Sequence, residues 1–242
     1  MMEVYDVKNA WTIARREVGA YFVSPIAYVV TAAFLFIMGI MFERILFYSR
    51  EATLRYLFQN LVFLLIFVAP LLSMRLLAEE QRSGTLELLL TSPVRDWEVV
   101  LGKFLAALAL FSVMLALTLL YPLILLFFGN PDMGPILSGY LGVLLIGSSM
   151  LAIGVFTSSL SQNQMVAGVV GIVILLFLWL MGAFAEAFGP PISTFLSNLS
   201  LATHFPDFAK GVVDSKDVVY YLSVTAAGLF LATRSLETRR WK

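Results

Sequence analysis

Hydrophobic and polar positions in this chain separate on the scale of whole helices rather than of alternating strands. Four stretches contain no Asp, Glu, Lys or Arg: residues 18–42, 56–74, 104–131 and the 53-residue run 133–185. A helix needs about 20 apolar residues to cross a hydrocarbon core roughly 30 Å thick. The first three runs therefore supply one span each, and the fourth holds two. A sixth run, 218–233, has only 16 residues. It can span if Asp217 and Arg234 extend their side chains toward the two interfaces. The pattern predicts an all-α membrane protein with a single domain over 1–242 and six transmembrane helices. These fall near 23–42, 57–74, 104–128, 136–156, 166–186 and 218–234.

The polar segments between the runs add detail. Over 7–22, Val7, Trp11, Ala14, Val18, Tyr21 and Phe22 recur at helical spacing, with Lys8, Thr12, Arg15 and Arg16 on the other side. An apolar stripe with Trp and a basic face describes a helix lying in the membrane interface. Ser24-Pro25 then caps and starts the first span. Residues 43–55 read as a short outer loop. Pro70 is expected to bend the second span, and Tyr121-Pro122 the outer part of the third. A turn follows over 129–135. The fourth span is rich in small residues, among them Gly139, Gly142, Gly147, Ser149 and Gly154, which let helices approach closely in lipid. That span is expected inside the bundle. Residues 157–164 read as an uncharged polar turn, and 189–217 as one or two short helices capping the outer side.

Composition sharpens this picture. The chain is 60% hydrophobic and 13% charged, against about 25% charged in soluble domains. Lys and Arg favour cytoplasmic loops. With the N-terminus inside, eleven basic residues fall on inner segments and five on outer ones. Both termini are then cytoplasmic in a plasma membrane, which agrees with an even number of spans. No cleavable signal peptide is expected, because the first apolar run is long enough to remain as a span. The chain has no Cys, hence no disulfide framework, thiol chemistry or cysteine metal ligand. Without a phosphate-loop motif it does not hydrolyse ATP by that route. The one histidine, His204, reads as an isolated interfacial polar residue. The mid-span regions carry essentially no ionisable groups, which argues against an ion-coupled carrier or an intramembrane protease. No charged ring lines any span, which argues against an autonomous channel.

Between the second and third spans lies a charged island, 75–103. Residues 75–82 extend the second span as a helix and Ser83-Gly84 breaks it. A short apolar-sided stretch follows, and Ser92-Pro93 signals a new helix with Asp96 and Glu98 in its first turn. The island contains E-E-Q-R-S-G-T-L-E-L-L-L-T-S-P-V at 79–94 and V-L-G-K at 100–103. These motifs closely resemble the type-2 ABC-transporter permeases, above all the branch of gliding-motility (Gld) and copper-processing (Nos) permeases. S-S-L-S-Q-N-Q-M-V-A at 158–167 is similar to that family's second cytoplasmic turn. Arg95 departs from the pattern, since many relatives carry a small capping residue there.

The resemblance implies a non-catalytic membrane subunit that dimerises with a second permease copy and works with separately encoded ATP-binding subunits. It implies no cofactor in this chain, with ATP and Mg on the partner ATPase, and no nucleic-acid partner. A coupling helix would dock on the ATPase through Glu79, Glu80, Gln81, Arg82, Ser83, Gly84, Thr85, Leu86 and Glu87. Glu79, Glu80, Arg82 and Glu87 would make the polar contacts and Gly84 the bend. Ser159, Gln162 and Asn163 would form the second cytoplasmic turn. Gly168 and Gly171 would lie at the dimer contact. Export across the bilayer is the leading expectation. The alternative is a membrane anchor that couples a cytoplasmic ATPase to an extracytoplasmic accessory protein without transporting a small molecule.

Overall fold

A computed structural model of the chain describes residues 3–49, 51–85, 94–185 and 187–240. Every regular element among them is helical. In chain order these are α1 Glu3–Val23, α2 Pro25–Ser49, α3 Arg55–Ser73, α4 Arg75–Ser83, α5 Asp96–Leu117 and α6 Leu120–Phe128. They continue with α7 Met133–Leu160, α8 Gln164–Ala185, α9 Ile192–Leu199, α10 Pro206–Ala209 and α11 Ser215–Arg240. Six stretches among the described residues are long and apolar enough to span a bilayer: α2, α3 with α4, α5 with α6, α7, α8 and α11. The protein is a multi-pass all-α membrane protein.

The bundle is organised around α7, which packs against α3, α5, α8 and α11. Its small residues make this possible. Gly139 lies against the Phe58 ring and Gly147 against the Phe111 ring, each so closely that an added Cβ would overlap the ring. The fourth span is mostly buried as expected, whereas α2, α8 and α11 bury only a minor share of their residues.

Several boundaries move from their expected places. The first span continues to Ser49, so Glu43 and Arg44 lie exposed on its last turns rather than in a loop. No Gly or Pro interrupts the helix there. The third span breaks at Thr118–Leu119, one turn before Pro122. A proline ring displaces the carbonyl four residues earlier, which here is that of Thr118. The released carbonyl accepts the Tyr140 hydroxyl at 2.9 Å. The turn before α7 closes at Asp132, whose Oδ1 accepts from the Gly134 amide at 3.0 Å. At its other end α7 runs through Thr157, Ser158 and Ser159, which were expected in a turn. Thr157 and Ser159 hydroxyls donate to Gly154 and Phe156 carbonyls on the same helix. They are thereby satisfied and stay buried.

Short helices α9 and α10 close the end of the bundle remote from α4. Ser138 donates to the Phe208 carbonyl at 2.7 Å and Tyr221 to the Leu201 carbonyl at 3.0 Å. His204 is not isolated here. Its Nδ1 lies 2.6 Å from Asp217 Oδ1, and its ring stacks on Tyr220 at 3.9 Å. Asp214 starts α11 by accepting the Lys216 amide at 2.9 Å. That backbone donor holds the Asp214 carboxyl below its ordinary range.

Candidate functional site

The charged island forms one polar end of the bundle. Helix α4 has two faces. Leu76, Leu77, Ala78 and Gln81 are buried, and Glu79, Arg82 and Ser83 are exposed. Gly84 ends the helix at φ 72°, in the left-handed region that favours glycine. Ser83 and Thr85 hydroxyls meet beyond it at 2.8 Å. The expected docking residues Leu86 and Glu87, and the expected helix start at Ser92-Pro93, lie outside the described residues. Helix α5 begins at Asp96 with Arg95 in the capping position. The Arg95 amide donates to Glu98 Oε2 at 2.7 Å. One half of a capping box therefore forms without a small side chain at the cap.

Two hydroxyls enter the helical ladder at the junction between α3 and α4. Tyr21 on α1 donates to the Leu72 carbonyl at 2.6 Å. Ser158 on α7 accepts from the Leu77 and Ala78 amides at 3.0 and 3.1 Å and donates to the Met74 carbonyl at 2.8 Å. Side chains inserted into a helical ladder bend it. The helix runs through Pro70 and is interrupted four residues later, at Met74. Burial pushes the Tyr21 phenol well above its ordinary pKa, although Arg75 opposes the shift, so Tyr21 remains a donor. The Arg75 guanidinium lies 4.7 Å from the centre of that ring and donates to Ser24 at 2.8 Å.

A buried cation joins three helices at the same end. Lys103 on α5 is 1% exposed. Its Nζ reaches Glu17 on α1 at 2.9 Å and Glu80 on α4 at 2.7 Å. Nearby, Asn9 donates to Glu98 at 3.2 Å. Gly102 admits the α1 backbone so closely that an added Cβ would lie 2.8 Å from the Ala10 carbonyl. The buried stripe of α1 is accordingly Ala10, Ala14 and Tyr21, with Ile13 and Glu17 half-buried. Trp11 and Phe22, placed on that stripe by spacing, stand exposed. Between α1 and α4 lies a cleft of about 780 Å³, lined by Arg16, Glu17, Arg75, Glu79, Glu80 and Lys103 among others.

These contacts divide the expected docking residues. Glu79, Arg82, Ser83, Gly84 and Thr85 are exposed beside one another. Glu80 is turned inward to Lys103. Gln81 is buried, and its Nε2 donates to the Ser159 carbonyl at 2.9 Å. Ser159 is itself fully buried, and its carbonyl also accepts from Ser235 at 3.3 Å. Gln162 and Asn163 do lie in an exposed turn, where Asn163 Oδ1 caps α8 through the Met165 amide at 2.9 Å. Gly168 and Gly171 face inward: Gly168 packs on Met74, and Gly171 on Thr157 and Pro70. Both are buried within the protomer. Ser158 and Tyr21 were missed as functional candidates. Tyr21 was legible as a helix-face residue, but neither sequence motif indicates a hydroxyl aimed at another helix's backbone.

A profile of the ABC-2 family of transporter proteins matches residues 40–208, more than two-thirds of the chain. The chain belongs to the ABC-2 transporter family. No curated protein matches it. The matched part of this ABC-2 permease runs from the last turns of α2 into α10 and includes α4 and Ser158. It leaves out α1 and α11, although Tyr21, Glu17 and Ser235 from those helices contact the same polar end.

Proposed function

We propose that this protein is the membrane subunit of an ATP-driven export system of the gliding-motility and copper-processing type. It works as a dimer with separate ATP-binding subunits. The polar end is cytoplasmic, and the exposed edge Glu79–Arg82–Ser83–Thr85 receives the ATP-binding subunit. The observation that supports this best is the two-faced construction of α4 inside a chain of the ABC-2 family. One face is fastened into the bundle by Gln81, Glu80 and the Ser158 contacts. The other offers a carboxylate, a guanidinium and two hydroxyls to solvent. A helix rigidly held on one side and polar on the other can pass a push from a partner into the spans.

Glu80 and Gln81 have a different role in this arrangement from the one their motif suggests. They hold α4 in place, and contact with the partner falls to Glu79, Arg82, Ser83 and Thr85. The test is the double charge reversal Glu79→Lys with Arg82→Glu. Membrane insertion should be unchanged while the amount of copurifying phosphate-loop ATPase falls by roughly tenfold or more, the scale of a lost interfacial charge contact. Unchanged ATPase recovery would show that the edge is not the docking surface.

A further inference from the structure

We propose that Ser158 is a positioning residue that carries displacement of α4 into the buried central helix α7. This rests on the reading that an ATP-binding subunit presses on α4. The Ser158 hydroxyl stands inside the backbone ladder of the α3–α4 junction, bridging the Met74 carbonyl to the Leu77 and Ala78 amides. Helix α4 starts at Arg75 with Met74 as its N-cap, so the Met74 carbonyl also takes the first bond of that helix, from the Ala78 amide. The Leu77 amide, one position before that bond, is held by the Ser158 hydroxyl.

Helix α4 and its N-cap are thereby bound to α7. Three bonds run through Ser158, and a fourth runs from Gln81 to the Ser159 carbonyl. That carbonyl is shared with Ser235 on α11. Gly154 brings Ser73 and α7 into close contact one turn away. A push on α4 thus displaces α7 and α11 as well as the two spans adjoining α4 in sequence. Because α7 lies at the centre of the bundle, its displacement reaches every helix packed on it.

Ser148 provides the control. It is buried on the same helix, and its hydroxyl bonds the Leu145 carbonyl of its own helix. The experiment uses the full-length chain with the phosphate-loop ATPase that copurifies with it, reconstituted in nanodiscs and supplied with Mg and ATP. Ser158→Ala should bind the ATPase as wild type does. Its Leu77 amide should exchange with deuterium roughly tenfold faster. The permease-dependent increment of ATP hydrolysis should fall by a similar factor. Ser148→Ala should match wild type in all three.

Ser158→Thr keeps the hydroxyl and should retain both slow exchange and hydrolysis. It carries the test if the alanine variant fails to insert. Equal hydrolysis by Ser158→Ala and Ser148→Ala would overturn the role of Ser158. So would loss of hydrolysis in Ser158→Thr while Leu77 stays protected. A wild-type chain that recovers no ATPase would instead overturn the docking reading on which the proposal rests.

Discussion

The two ends of the bundle are built from different interactions. At the α9–α10 end, apolar and aromatic side chains close the structure. Phe205, Phe208 and Tyr221 are buried, Phe208 fills the space beside Gly142, and His204 stacks on Tyr220 while its Nδ1 pairs with the Asp217 carboxylate. At the α4 end, the contacts are hydroxyls placed in a backbone ladder and one lysine shared by two carboxylates. Aromatic packing has no equivalent substitute, so moving it opens a void. A hydroxyl within a helical ladder can be exchanged for the helix's own bond. The contrast suits an end that seals and an end that moves, as the proposed coupling requires.

The largest expected effect comes from breaking the charge cluster at the α4 end. Lys103→Met leaves Glu17 and Glu80 partly buried without their cation. Breaking a buried pair costs about 3–5 kcal/mol, and the two carboxylates are only about a fifth exposed. We expect a loss of about 3 kcal/mol in denaturant unfolding in a defined detergent, with α1 becoming the first segment cut by protease. A loss under about 1 kcal/mol would mean that the cluster is screened like a surface ion pair. The two ends would then differ less than their geometry indicates.

A smaller effect is expected at the sealed end. Asp217→Asn keeps an acceptor for His204 Nδ1 but removes the charge, at a cost of about 1–2 kcal/mol. Stability should fall by that amount while ATP hydrolysis with the partner subunit stays at the wild-type level. A parallel fall in hydrolysis would show that the cap takes part in the cycle, and the division into sealing and moving ends would fail.

How much of this was legible in the sequence depends on the range over which each signal acts. The six spans follow from local apolar runs, and the buried place of α7 follows from its glycines, because both are properties of single segments. The break at Gly84 was legible for the same reason: only glycine adopts its backbone angle without strain. The inward turn of Glu80 was not, since its partners Lys103 and Glu17 come from two other helices. Gly168 and Gly171 show the converse. Small residues announce that a helix is approached closely, but they do not say by which neighbour, and here it is α3 and α7. Ser158 sits in a polar stretch that composition assigns to a turn, and only the backbone of a distant segment shows what its hydroxyl does.

The smallest and most specific effect concerns the second hydroxyl at the junction. Tyr21→Phe removes the donor to the Leu72 carbonyl. That carbonyl can fall back on the Leu76 amide, so at neutral pH the cost should sit near the low end of an unpaired buried acceptor, about 1 kcal/mol. The pH dependence isolates the group. Burial raises the Tyr21 pKa in the folded protein, so the native state holds this proton where the unfolded chain, with a pKa of about 10, has released it. Its stabilising contribution is therefore complete below pH about 10. As pH rises further the unfolded state binds fewer protons than the native one, and stability falls. The other tyrosines contribute equally to both chains and cancel in the difference. Wild type should thus be the more stable chain at pH about 8 and lose that advantage above pH about 10. A wild-type advantage that stayed constant through this range would place the Tyr21 hydroxyl in solvent rather than inside the α3–α4 junction.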